Sequence, residues 1–186
     1  LGRLRQRLCL PERYLLYLGG FDRRKNVPEL LQAYSLARRR LEGLPLVIAG
    51  RLPARDTLFT PSPQRIAREL GLGEAVQFVG WVDEEDKPAL YGGARAFLFP
   101  SRYEGFGLPV LEAISCGVPA IVAGGSSLEE VAGEAGLVVP PGDVQALADA
   151  LVRLAREEAL HARLAAACAP QAARFSSAEM ARQTLA

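Results

Sequence analysis

The stretch Ser101-Arg102-Tyr103-Glu104-Gly105-Phe106-Gly107-Leu108-Pro109-Val110-Leu111-Glu112 gathers the groups best suited to chemistry: two carboxylates with seven residues between them, flanking two closely spaced glycines. Gly105 and Gly107 let backbone approach a ligand closely, and the helix that Leu108-Pro109 opens turns free N–H groups toward the same place, which makes a phosphate cradle. Glu112 stands about one turn into that helix. Helical Cβ atoms tilt toward the N-terminus, so its carboxylate points back toward the cradle, where it can accept from ribose hydroxyls. Glu104, on the other side of the glycines, can accept from a second polyol. Two carboxylates around a phosphate cradle suit a nucleotide sugar.

A basic triplet, Arg23-Arg24-Lys25, precedes a second helix start. The macrodipole already places about half a positive charge there, so an anion should compensate. Two readings stand. The side chains splay into solvent and pair with Glu29 or a partner domain, at little gain, or Lys25 reaches a phosphate. The run from Gly105 to Val110 also approaches the dinucleotide fingerprint, which raises an NAD-dependent oxidoreductase as a rival. Against it, Val110 stands at the third glycine position, and the strand at 120–122 ends in Gly124-Gly125 with no acidic residue to hold an adenosine ribose. Other candidates read as structural. His161, the only histidine, lies on an Ala-rich helical stretch and is expected at the surface; Trp81 is core or cleft lining; Cys116 is packing; Ser126 and Ser127 cap the helix at Leu128.

These groups need a scaffold, and the chain supplies alternating elements. Apolar runs at 14–18, 45–49, 75–79, 96–99, 120–122 and 137–139 are short and continuous, as in strands covered on both faces. Between them lie helix-length segments. Asn26 caps one from Val27 to about Leu41 with Pro28 in its first turn, and Ser62-Pro63 opens one ending at Leu70-Gly71. Asp83 opens a short acidic segment to Tyr91, Leu108-Pro109 opens one ending at Cys116-Gly117, and Asp143 opens a long amphipathic stretch through about Glu158. The pattern predicts an α/β fold: a Rossmann-like, doubly wound parallel sheet of about six strands. Ligands then bind beyond the carboxyl ends of the strands, where the loops at 19–26, 100–107 and 124–127 gather. The connection at 51–63 is long enough to be a flexible excursion.

Composition narrows the classes further. With 186 residues the chain suits one domain, and 22 Lys plus Arg against 21 Asp plus Glu leave a net charge of +1, so no broad field recruits nucleic acid. No apolar run approaches the roughly 18 residues of a membrane span. Cys9, Cys116 and Cys168 are odd in number and lack Cys-x-x-Cys spacing, which argues against disulfides and a zinc site and points to a reducing cytoplasm. Leu1 opens the chain without an initiator Met, and 176–186 begins a helical pattern without a cap; both ends read as cuts in a longer protein.

The Glu104 and Glu112 pair, with Gly-Phe-Gly-Leu-Pro between, followed by AISCGVPAIV at 113–122, resembles the signature of the family 4 retaining glycosyltransferases, group 1 type, which have the GT-B fold. The similarity runs from about Tyr14 to Phe175. Gly19 to Asn26 matches the first-strand loop, Phe78-Val79-Gly80-Trp81-Val82 the segment near the base, and 124–143 the serine, glutamate and Pro-Gly-Asp run. The resemblance implies that residues 1–186 are a single C-terminal, donor-binding domain of a two-domain enzyme, inactive alone, whose N-terminal domain takes the acceptor and any peripheral membrane contact. It implies that Glu112 holds the donor ribose, Glu104 contacts and orients the transferred sugar without acting as a covalent nucleophile, and Lys25 neutralises the pyrophosphate. The resemblance further implies that backbone N–H groups around Gly105, Phe106, Gly107 and Leu108 hold the pyrophosphate and that Val82 meets the base through its backbone.

Many members carry Arg where this chain has Gly20, so either Arg24 substitutes or the phosphate has one cation fewer. The Arg-Lys-Asn form resembles mannosyltransferase-like members, which suggests GDP-mannose. Transfer with retention, without a metal or other cofactor, follows from the same resemblance, and the sequence has no Asp-x-Asp pair. Two alternatives remain at this point: a non-catalytic nucleotide-binding or assembly module, and a GT-B nucleotide-sugar epimerase.

Overall fold

A computed structural model describes residues 2–175. The six strands are β1 (Tyr14–Leu18), β2 (Leu46–Ala49), β3 (Val76–Gly80), β4 (Ala94–Phe99), β5 (Ala120–Ala123) and β6 (Gly136–Val139). They form one parallel sheet in the order β3-β2-β1-β4-β5-β6. The four middle strands are wholly or largely buried, whereas β3 and β6 are partly exposed along their length. Continuous apolar runs therefore mark the centre of the sheet, where each fully buried Leu, Ile or Phe contributes about 1.5–3 kcal/mol.

The helices are α1 (Gly2–Leu8), α2 (Val27–Ala37), α3 (Pro63–Glu69), α4 (Lys87–Gly92), α5 (Leu108–Ser115), α6 (Ser127–Ala132), α7 (Val144–Arg156) and α8 (Glu158–Ala173). Two packed groups result: α2 with α3 and α7, and α5 with α4, α6 and α8. Strand order reverses at the junction of β1 and β4. Right-handed crossovers running outward from that junction put the two groups on opposite faces and leave a crevice at the carboxyl ends of β1 and β4. No helix among the described residues is long and apolar enough to cross a membrane.

Several expectations need correction. The helix after Asn26 stops at Ala37, and the Arg-rich segment Arg38–Leu41 tightens into a 3₁₀ turn that ends in left-handed Glu42. The stretch opened by Asp143 forms as expected: Asp143 caps α7 by accepting from the Ala146 N–H, the helix runs to Arg156, and extended Glu157 separates it from the Ala-rich α8. Helix α1 was not expected, since its Arg-rich sequence offers one buried residue, Leu4, and no amphipathic period. The connection at 51–63 is, as expected, a long excursion without strand or helix before Pro63; within it the Thr57 N–H donates to the Thr60 carbonyl at 3.2 Å, and the Phe59 carbonyl accepts from the Arg23 N–H at 2.8 Å. His161 is half-buried, with Nε2 2.9 Å from the Arg95 carbonyl. That carbonyl only accepts, so Nε2 carries the proton. Burial, foremost, and the Arg95 charge lower the imidazole pKa. The expected helical start at 176–186 lies outside the described residues.

Candidate functional site

The loop after β1 is held from three sides. The Tyr17 hydroxyl donates to the Gly20 carbonyl, and the Gly19 N–H donates to Ala49 at 3.1 Å. Gly50 has φ +137°, and a Cβ there would stand 2.1 Å from the Gly19 carbonyl oxygen, so only glycine lets the ends of β1 and β2 meet. Arg23–Lys25 makes one 3₁₀ turn, and Asn26 follows in the left-handed region at φ 62°. This conformation overturns the expected side-chain cap, because a capping residue needs extended backbone to aim its oxygen at the helix N–H groups. Asn26 Oδ1 instead accepts from Arg102 Nε at 3.1 Å. With the Arg102 N–H donating to the Arg24 carbonyl at 2.8 Å, the loops after β1 and β4 are laced together across the switch point.

Lys25 Nζ donates to Glu104 Oε1 at 2.6 Å, and the two side chains are only 14% and 13% exposed. Nζ also sits 5.1 Å from the centre of the Phe99 ring, a cation–π contact. The Ser101 hydroxyl, fully buried, lies 2.6 Å from the same Oε1 and gives its proton to the carboxylate. The basic triplet thus divides. Arg24 turns outward, 51% exposed, and pairs with Asp22 at 3.0 Å, which raises its guanidinium pKa through that hydrogen bond. Glu29 pairs with Arg102 at 3.2 Å and not with the triplet.

The segment after Glu104 is shaped by α6. The Ser127 hydroxyl lies 3.0 Å from the carbonyls of both Glu104 and Phe106, so it ties down the loop and does not cap. The cap is Ser126, whose side chain accepts from the Leu128 N–H at 3.4 Å. Gly107 has φ +98°, and a Cβ on it would fall 2.4 Å from Leu128 Cδ2, whereas one on Gly105 would meet nothing within 4 Å. The Phe106 ring, partly buried, packs edge-on against Phe175. Among the described residues, the N–H groups of Gly105, Phe106, Gly107 and Leu108 have no hydrogen-bond acceptor. Four N–H groups without an acceptor thus stand at the start of α5, where backbone donors and the helix dipole can take an anion.

Glu112, the fifth residue of α5, accepts at Oε2 from the Tyr91 hydroxyl at 2.8 Å. It walls a hollow of about 400 Å³ with Lys87, Tyr91, Leu108, Leu111 and Cys116. Burial raises the Cys116 thiol pKa, with Glu112 adding to the effect, which suits a packing residue better than a nucleophile. A second hollow, of about 180 Å³, is lined by Gly19, Gly20, Arg51, Trp81, Val82 and Lys87. Lys87 borders both hollows. Trp81 lines this cleft, 60% exposed, with the Arg51 guanidinium 5.4 Å from its ring centre. A larger hollow of about 620 Å³ opens beside Arg13, Leu44 and Pro45, at the amino ends of β1 and β2, away from the switch point. Among the described residues, no group of three His, Cys, Asp or Glu side chains is placed to hold a metal ion.

The fold therefore brings Lys25, Glu104 and the backbone of 105–108 to one crevice. It sets Glu112 in one adjoining hollow and Gly20 with Val82 in the other, and it turns Arg24 away toward Asp22. Tyr91, Ser101, Ser127 and Lys87 were missed as site residues. Ser101 and Ser127 carried a signal, as small polar residues in strand-end loops, although Ser127 was read as a cap; Tyr91 and Lys87 reach the site through packing.

The family model of glycosyl transferases group 1 matches residues 5–171. The chain is 39% identical over 173 residues to O-antigen chain mannosyltransferase B of Escherichia coli, covering 92% of this chain and 44% of that protein. It is 34% identical over 160 residues to the GDP-mannose-dependent alpha-(1-6)-phosphatidylinositol monomannoside mannosyltransferase of Mycolicibacterium smegmatis, covering 81% and 41%. Among solved structures, sucrose-phosphate synthase from Thermosynechococcus elongatus superimposes with a TM-score of 0.80 at 32% identity, over 99% of this chain and 47% of that one. The chain thus spans less than half the length of these relatives. Its Rossmann-like sheet is that of GT-B glycosyltransferase domains, and the chain belongs to the glycosyl transferases group 1 family.

Proposed function

We propose that this chain is the donor-binding half of a retaining glycosyltransferase that moves a sugar, mannose from GDP-mannose, to an acceptor held by a second domain. The observation that carries the reading is the Lys25–Glu104 pair beside four free N–H groups at the start of α5. When the bond from the anomeric carbon to phosphate breaks, the leaving diphosphate gains negative charge, and fixed donors stabilise it more than the ground state. In this reading Lys25 and the N–H groups at 105–108 take the diphosphate, with positive charge supplied by them and not by a divalent cation. Glu104, released from Lys25, orients the sugar hydroxyls. Glu112 accepts from the ribose, and the base enters the hollow beside Val82 and Gly20. Arg24 stays with Asp22, so the phosphate has one cation fewer than in members with Arg at the Gly20 position.

The mannose and guanine assignments draw support from the two mannosyltransferase relatives, one of them named as GDP-mannose-dependent. The reading places the chain in the cytoplasm, where Cys9, Cys116 and Cys168 persist as free thiols. Amide-shift titration of the chain with GDP, UDP and ADP tests it. GDP should bind most tightly and move the resonances of Gly105, Gly107 and Leu108; silence at those amides with all three nucleotides would defeat the reading.

A further inference from the structure

We propose that Tyr91 is a positioning residue, whose hydroxyl fixes Oε2 of Glu112 so that Oε1 alone is presented to the nucleoside. The proposal rests on the reading above in which Glu112 accepts from the donor ribose. Tyr91 lies on α4, is 1% exposed, and packs edge-on against Phe97 with ring centres 5.3 Å apart at 76°. A ring so confined does not swing, and its hydroxyl meets Glu112 Oε2 at 2.8 Å. Burial, with the carboxylate beside it, holds the phenol far above its ordinary pKa, so it stays a donor at every working pH. Among the described residues, Oε1 has no hydrogen-bond partner.

The consequence is geometric. A glutamate has three side-chain torsions, and one at the wall of an open hollow samples many orientations unless something holds it. Tyr91 holds it before the ligand arrives, so little ordering is left for the binding step. Oε1 keeps its lone pairs for the two vicinal ribose hydroxyls. The same contact predicts that Tyr91 contributes to preference for ribose over a sugar lacking those hydroxyls, although it touches neither.

The test measures the affinities of the chain, Tyr91→Phe and Glu112→Gln for whichever of GDP, UDP and ADP binds the unmodified chain most tightly, and for the 2′,3′-dideoxy form of that nucleotide. Tyr91→Phe should weaken the ribose form by about fivefold and leave the dideoxy form unchanged, with a larger loss of ribose preference in Glu112→Gln. The ratio of the two affinities decides, because damage to folding lowers both alike. A ribose preference that survives Tyr91→Phe but falls in Glu112→Gln overturns the positioning role and leaves the ribose contact standing. A preference untouched by Glu112→Gln, or binding of none of the three nucleotides, overturns the ribose reading and this proposal with it.

Discussion

Replacing Lys25 by Met leaves Glu104 as an unpaired carboxylate only 13% exposed. Breaking a buried pair from one side costs about 3–5 kcal/mol, whereas an exposed pair is worth about 0–1 kcal/mol. This pair lies between those limits: both side chains keep some solvent contact, and the Ser101 hydroxyl still donates to Oε1. A loss of about 2 kcal/mol follows. That corresponds to a fall in Tm of about 4–8 °C for a chain of this length. The double variant Lys25→Met/Glu104→Gln has no stranded charge and should recover much of the loss, so a double-mutant cycle gives a coupling of about 1–2 kcal/mol. Urea unfolding of the four proteins measures it. Nucleotide affinity should fall at least about tenfold in Lys25→Met, from the lost charge-assisted bond. Additive stabilities would refute mutual neutralisation in the ligand-free protein, and unchanged nucleotide affinity would refute the phosphate role of Lys25.

The two cradle glycines should separate stability from binding. Gly107→Ala, forced into a left-handed φ and against Leu128, should lose about 2–5 kcal/mol in denaturant unfolding. Gly105→Ala has open space and should fold within about 0.5 kcal/mol of the parent, yet lose nucleotide affinity because the methyl group stands where the ligand approaches. The lowered imidazole pKa of His161 sets a pH effect on stability. The unfolded chain binds that proton more readily, so the contribution is complete above the ordinary value of 6.5 and is lost as pH falls below it. His161→Gln should flatten that part of the stability profile, and a parent profile already flat below pH 6.5 would contradict the assignment. If charge at the diphosphate comes from the protein, calorimetric GDP affinity in EDTA should equal that in magnesium; a large gain with magnesium would count against it.

The scaffold was legible because its rules are local. YLLYL and LVIA are strands buried on both faces, too short for helices and closed by glycine at Gly19 and Gly50. The rule that ligands sit at strand carboxyl ends then placed Lys25 and Glu104 on one crevice. Their contact spans 79 positions, and only the parallel pairing of β1 with β4 creates it. Asn26 was misread because residue type reports a capping tendency but not φ. Tyr91 was invisible as a partner of Glu112, since its contact depends on how α4 packs on α5 and not on any spacing. His161 met the same limit: helical periodicity assigns a face, but the Arg95 carbonyl that receives its ring belongs to a strand 66 positions away.

The most direct measurement is a crystal structure of the chain with GDP-mannose. The account predicts diphosphate oxygens within hydrogen-bond distance of the Gly107 and Leu108 N–H groups and of Lys25 Nζ. It also predicts that Lys25 has parted from Glu104 and that Glu112 meets the ribose. A donor bound elsewhere, or bound in this crevice with the Lys25–Glu104 pair intact, would contradict it.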